Sequence, residues 1–373
     1  KQHALIRATQ PYKWPRRATT LLCDVFPLAT RRILRVATTE NPKAFALVAL
    51  GSLVSYDRSH QQADADRAVF HLRWLLEHAE QGHAGLCWGY PFNVFGKGLD
   101  TPAGTPIGVV CSIAGDAFAR AYAVTKSQEY LDAVMRIAEF FLKEIPRLDC
   151  GGDLYCFGYT PHDKRRVHNA NLHVVEHLYR TYSLTGDTRY VNAAEPALEF
   201  TVRSQRNDGA WTYGDWNQEE PYEKALMDVI DHHHTGFVLR SLHEIHGVTH
   251  SEHLESAVRL GYAFYRDRLF NTDGMPVTAS GTYPVDIHAC AEGILCPSAL
   301  STWFDDGLQT ASRCLMWSAA HMRNPNTGLP YYRLYPWFAS KLLCTRWGLA
   351  WMYAALSVYT AAATRTPVHH KKR

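Results

Sequence analysis

Apolar positions along the chain recur at steps of three and four, and strand-like alternation is scarce, so the pattern predicts helices nearly throughout. The stretch from Asn169 shows the unit most clearly. Leu172, Val175, Tyr179 and Tyr182 fall on one helical face. Thr185-Gly186-Asp187 then ends the helix, with Gly186 suited to a left-handed C-terminal position. A second face follows through Tyr190, Ala194, Leu198 and Val202, and it stops at the turn sequence Asn207-Asp208-Gly209.

The unit repeats. Helix-compatible segments begin near Asn41, Ile107, Asn169, His232, Asp286 and Thr345, at spacings of 66, 62, 63, 54 and 59 residues. Each interval has room for a helix, a short turn, a second helix and a longer loop. Asn41-Pro42 and Thr105-Pro106 each place a capping residue before a proline at the first turn. Leu349, Met352, Leu356 and Tyr359 repeat the step in the last copy. A helical hairpin cannot bury its apolar face alone, and six in series predict an all-α (α/α)6 toroid. The first helix of each pair lines the inside and the second lies outside. Residues 1–373 read as one domain, because no Ser/Gly-rich, Pro-rich or single-sign stretch interrupts residues 40–360. Hydrophobic residues make up 46% of the chain and aromatics 12%, enough for a large core.

Charge adds an asymmetry to this picture. The net charge is +3, but residues 1–35 carry +7, residues 365–373 carry +4, and the remainder carries −8. An acidic body with basic ends points away from nucleic acid. The basic ends, 1–20 and 364–373, read as loosely ordered segments able to touch an anionic membrane surface. No apolar run reaches the ~18–20 residues that span a bilayer. Nine scattered cysteines without a C-x-x-C pair read as buried thiols, which makes a cytoplasmic setting the expectation. No cofactor or metal is expected. Asp231, His234, Asp286 and His288 are metal-ligand types but lack a metal-site spacing.

In a toroid the loops before the inner helices converge at one end, together with the inner helices' N-termini. Those junctions concentrate the chemistry. They hold Trp88-Gly89-Tyr90-Pro91-Phe92, then His162 to Asn171 with Tyr159, then Trp211, Tyr213 and Asp215 before Asp231-His232-His233-His234. They continue with Tyr283, Asp286, His288 and Glu292, and with Tyr331, Tyr332, Arg333, Arg346, Trp347 and Trp351. Aromatic faces stack on sugar C–H faces, carboxylates and amides bind hydroxyls, and arginine forks bind carboxylates. The mixture predicts an oligosaccharide or polysaccharide cleft.

Four stretches carry a resemblance: DGAWTYGD (208–215), IDHHHTGFVL (230–239), DGMP with YPVDIHACAEG (273–276 and 283–293), and RWGLAWM (346–352). Together they resemble bacterial polysaccharide-biosynthesis toroid proteins of the six-hairpin, terpenoid-cyclase-like superfamily. Gln205, Gly209 and Trp211 are similar to the glutamine–tryptophan motif of terpenoid-cyclase toroids, with an echo at Gln81, Gly85 and Trp88. The resemblance implies a six-hairpin toroid in a polysaccharide setting; related toroids include glucuronyl epimerases, polysaccharide lyases and inverting glycosidases. Glu292 stands where such proteins often have Gln.

The candidate catalytic residues are Asp231, His234, Asp286, His288, Tyr283 and His168. His234 at a helix N-terminus suits a neutral base. Asp231 and Asp286 would serve an inverting hydrolase if roughly 6.5–9.5 Å apart. A uronate epimerase or lyase would instead use Tyr283 or a histidine, with Asn171 or Arg346 neutralising the carboxylate. Trp88, Tyr90, Asn171, Trp211, Tyr213, Glu292, Arg346 and Trp347 are the candidate substrate-binding residues. The expected function is a carbohydrate-active enzyme, with a non-catalytic glycan-binding or scaffold subunit as the alternative. A terpenoid cyclase fits less well, because Asp305-Asp306 completes neither cyclase acid motif.

Overall fold

The computed structural model describes residues 13–95, 100–216 and 224–365. Six inner helices form the ring: α3 (Pro42–Ser59), α5 (Gly108–Thr125), α7 (His168–Thr185), α10 (His232–Thr249), α12 (Ile287–Ala299) and α14 (Ala350–Arg365). Each packs on the next, and α14 packs on α3, which closes the toroid. Five outer helices follow their inner partners: α4 (Gln62–Glu77), α6 (Gln128–Glu144), α8 (Thr188–Arg203), α11 (Glu252–Arg268) and α13 (Gly307–His321). Among the described residues no outer helix follows α14. A short α9 (Lys224–Met227) lies in the loop before α10, and α1 (Lys13–Val25) and α2 (Pro27–Ile33) precede the ring. The expected loose ends fall partly on residues 1–12 and 366–373, outside the described residues; residues 13–20 and 364–365 are helical.

The first four hairpins share one connection. Each inner helix runs 18 residues and ends on a left-handed residue: His60 at φ 52°, Lys126 at 56°, Gly186 at 74° and His250 at 52°. Only Gly186 adopts that conformation without a Cβ penalty. The helix starts are more varied. Asn41, Asp187, Asp231 and Asp286 cap their helices through side-chain oxygens. Thr105-Pro106 does not: α5 starts two residues later, and Pro106 pairs with Gly89 in an isolated bridge. Asn169 is not a cap either, since α7 already begins at His168.

Short strands pin the junction loops to the inner helices. β1 (Val94–Phe95) pairs with β2 (Asp100–Thr101), and β3 (Arg147–Asp149) with β4 (Tyr155–Phe157). β5 (Arg166–Val167) pairs with β6 (Gly214–Asp215), joining the third and fourth junctions. β7 (Val285–Asp286), β8 (Arg333–Leu334) and β9 (Ala339–Ser340) join the fifth and sixth. The glutamine–tryptophan stretch ties outer helices together. Gln205 Nε2 donates to the carbonyls of Gly209 and Ala257, and Trp211 sits where a Cβ on Gly261 would come within 2.5 Å of its ring.

Candidate active site

The N-terminus of α10 builds the core of the site. Asp231 caps the helix, its Oδ1 accepting the His234 N–H at 2.9 Å. Its Oδ2 lies 2.7 Å from His234 Nδ1, and His233 Nδ1 lies 3.4 Å from Oδ1. An ionised Asp231 therefore holds hydrogen on His234 Nδ1 and leaves Nε2 as the ring nitrogen not facing the carboxylate. Burial pushes the Asp231 carboxyl up, but the two adjoining imidazoles and the hydrogen bonds from His234 outweigh it and hold it well below the usual carboxylate range.

A second imidazole layer faces the first. His233 stacks on His288 with ring centroids 4.7 Å apart, and His288 lies between Trp347 at 4.3 Å and Trp351 at 4.9 Å. Burial lowers His233 to about 3 and lowers His288 well below the ordinary imidazole value, so both are neutral at pH 7. Neither ring nitrogen of His288 has a hydrogen-bond partner among the described residues. Buried polar groups are normally satisfied, so a fully buried unpartnered imidazole here is available to a ligand or water.

Cations surround this layer. Lys43, on the first turn of α3, is only 3% exposed. Its Nζ lies 5.7 Å from the Trp347 ring and 5.6 Å from the Trp351 ring. Burial lowers its pKa below the usual lysine value, Tyr90 opposes that shift, and Arg346 adds to it. The Arg346 guanidinium lies over Tyr90 at 4.6 Å and Phe92 at 5.2 Å. Arg346 and Trp347 belong to a π-helical turn, Thr345–Leu349, just before α14. Such turns are frequent at functional sites.

Asp286 is fully engaged. It caps α12 through the His288 N–H at 2.9 Å, accepts from Trp347 Nε1 at 2.8 Å, and pairs with Arg333 Nε at 3.0 Å. Asp231, His233 and His234 offer donor atoms within 4.8 Å of one another, close enough for an ion, although the Lys43 and Arg333 charges act on His233. His288 and Asp286 are not in that group.

The structure thus gathers Asp231, His234, His288, Asp286, Tyr90, Tyr213, Arg346 and Trp347. Tyr213 touches the His234 ring at 4.5 Å. Tyr283 lies 47% exposed in the loop before β7. The other candidates face packing contacts. His168 stacks on Phe200 of α8 at 5.1 Å and contacts Thr201. Asn171 spends its amide on Phe157 N, Ala197 O and Thr201 Oγ1. Trp88 and Trp211 are buried, with indole N–H groups on the carbonyls of Leu75 and Thr201. Glu292 is wholly buried in a fork with Arg240, at 2.7 and 3.2 Å. Lys43 and His233 were given no separate role by the sequence; Pro42 makes Lys43 look like part of a cap, and His233 is one of three adjacent histidines.

No family model and no curated sequence matches this chain. Solved structures match over most of the length. A cellobiose 2-epimerase from Bacillus thermoamylovorans B4167 aligns over 88% of both chains at 13% identity, with a TM-score of 0.67. A D-mannose isomerase aligns over 86% of this chain and 87% of its own at 13% identity, TM-score 0.61. The GH76 α-mannanase BT2949 of Bacteroides thetaiotaomicron aligns over 87% of this chain and 86% of its own at 13% identity, TM-score 0.61. At such identities the likeness establishes the shared (α/α)6 toroid fold.

Proposed function

We propose that the loop end of the toroid is the active site of a carbohydrate-active enzyme that transfers protons at a sugar carbon, in the manner of an epimerase, isomerase or lyase. One observation carries this reading: neutral imidazoles at His233 and His288 stack beside the Asp231–His234 pair, with the Lys43 and Arg346 cations in the same layer. Removing a proton beside a carbonyl or carboxyl requires a neutral base and a cation for the developing oxyanion. His234 Nε2 supplies the base, and His288, stacked on His233, offers its unpartnered ring nitrogens to the sugar; Lys43 and Arg346 supply the positive charge. Tyr90, Trp347 and Tyr213 offer faces for the sugar ring.

A two-carboxylate hydrolysis has less support. That mechanism needs one carboxyl held protonated as the acid. Asp231 is held ionised, and the Asp286 oxygens are taken by Arg333, Trp347 and the helix cap. Sugar epimerisation and isomerisation are named for neighbours on this fold, which agrees with proton transfer, although an α-mannanase shares the fold equally well. Incubating the chain with reducing disaccharides and uronate oligosaccharides in heavy water tests it. Deuterium on carbon without chain cleavage means epimerase or isomerase, and an unsaturated end means lyase. Cleavage with added water means hydrolase, and bound but unchanged sugar means a binding subunit; either of these two results overturns the reading.

A further inference from the structure

Residues 13–36 expose a run of large apolar side chains. Trp14 is 73% exposed, Leu28 71% and Ile33 74%, and Leu21, Leu22, Val25, Phe26 and Val36 are also exposed. Trp337, in the turn between β8 and β9, is 89% exposed. Exposed patches of this kind mark interaction sites. The charge on the segment is sorted as well. Residues 13–35 carry Lys13, Arg16, Arg17, Arg31, Arg32 and Arg35 against one acid, Asp24. That acid is turned inward: Asp24 is 3% exposed, accepts from Tyr335 Oη at 2.6 Å, and lies 3.9 Å from Arg333. The outward side therefore presents Arg31, Arg32 and Arg35 among apolar groups, with no exposed carboxylate of its own.

We propose that α1, the Phe26 bend and α2 form an interfacial anchor that docks the protein on an anionic phospholipid surface. Tryptophan, leucine and phenylalanine interleaved with arginine on short amphipathic helices match the headgroup–acyl boundary. Charge complementarity selects the occupant. The rest of the chain between the basic ends carries −8, so an anionic bilayer attracts the segment and repels the body, which fixes orientation. A symmetric contact with a second copy would face basic segment against basic segment.

The placement bears on function. Arg333, which lies beside Asp24, also holds Asp286 of the candidate site, and Arg31 donates to the Leu343 carbonyl at 3.4 Å, one residue before the Cys344 that precedes the π-helical turn. The anchor thus sits at the rim of the loop end. Docking stands on the exposed face alone and holds whether or not the cleft is catalytic.

Flotation of the full chain with lipid vesicles tests the proposal. Binding to vesicles containing about 30% phosphatidylglycerol should exceed binding to pure phosphatidylcholine by at least tenfold, roughly the effect of two surface arginines. It should weaken between about 0.05 M and about 0.5 M salt, as the screening length shrinks. Replacing Leu21, Leu22, Phe26 and Leu28 with serine, or reversing Arg32 and Arg35 to glutamate, should each cut binding at least about tenfold. Circular dichroism and sugar binding should stay unchanged, which separates loss of docking from unfolding. Equal binding to both vesicle types, or no binding to either, overturns the proposal. So does a concentration-dependent oligomer that the serine substitutions dissolve, because a second copy would then be what covers the face.

Discussion

The two ends of the ring use similar residues in different ways. At the hairpin end a cavity of about 440 Å³ is lined by Asp116, Arg120, His173, Glu176, Arg180, Arg240 and Glu244. There the charges answer one another. Arg180 pairs with Asp116 and Glu176, Ser241 Oγ donates to Glu176 at 2.7 Å, and Arg240 forks onto Glu292. At the loop end Lys43 and Arg346 make their described contacts with aromatic faces, and His288 keeps both ring nitrogens unpartnered among the described residues. The ends differ in how their cations are answered: Arg180 and Arg240 have carboxylate partners, whereas Lys43 and Arg346 have none among the described residues. An unpartnered imidazole does not separate the ends, since His173 in the hairpin-end cavity also keeps both ring nitrogens unpartnered among the described residues.

The contrast breaks most sharply at the dyad. Asp231→Asn and His234→Ala should each lower turnover by about 10²–10⁴-fold, the range for a positioned general base. Thermal melting should show the folded fraction preserved at the assay temperature. At the other end the loss should fall on stability. Arg240→Ala strands Glu292 in a fully buried position and should cost about 3–5 kcal/mol in urea unfolding, whereas Arg240→Met with Glu292→Leu should recover most of it. Lys43→Met removes charge at the loop end. It removes a buried cation with no carboxylate partner among the described residues, so stability should hold within about 1 kcal/mol while sugar affinity falls.

The buried histidines set a pH dependence. Burial, the leading cause at each, lowers His168 to about 4 and His173, His177, His232 and His233 to about 3. The unfolded chain binds these protons near the ordinary histidine value of about 6.5. Their stabilising effect is thus complete above about pH 6.5 and is lost as pH falls toward 4, by up to about 1.4 kcal/mol per pH unit for each histidine. Melting temperature should drop steeply across that window and stay flat from pH 7 to 8. The smallest effect is local. Lys126→Gly at φ 56° should raise stability by up to about 1 kcal/mol, since the left-handed penalty of roughly 1–2 kcal/mol exceeds the entropy cost of glycine.

The sequence carried the ring in its period. Segments read from Asn41, Ile107, Asn169, His232, Asp286 and Thr345 begin within a few residues of inner helices or, at Thr345, at a π-helical turn. The left-handed hairpin turns were legible only at Gly186, because His60, Lys126 and His250 adopt the same backbone without glycine's signature. The cleft was legible as a location but not as a list. A junction residue can face the ring axis or its own outer helix, and one step along a helix turns the side chain by about 100°. His168 and Asn171 face α8, while Lys43, one residue after a proline, faces the axis. Glu292 lies a turn deeper than the junction and meets Arg240 from the middle of α10, a pairing that no local spacing encodes.

The most direct measurement is deuterium incorporation at a sugar carbon in heavy water, with wild type and His288→Asn compared side by side. Wild type should leave label on an otherwise intact sugar, and the variant should lose about 10²-fold or more of it with its fold retained. Equal incorporation by both proteins would contradict the role given to the stacked imidazoles; hydrolysis without carbon-bound label would contradict proton transfer itself.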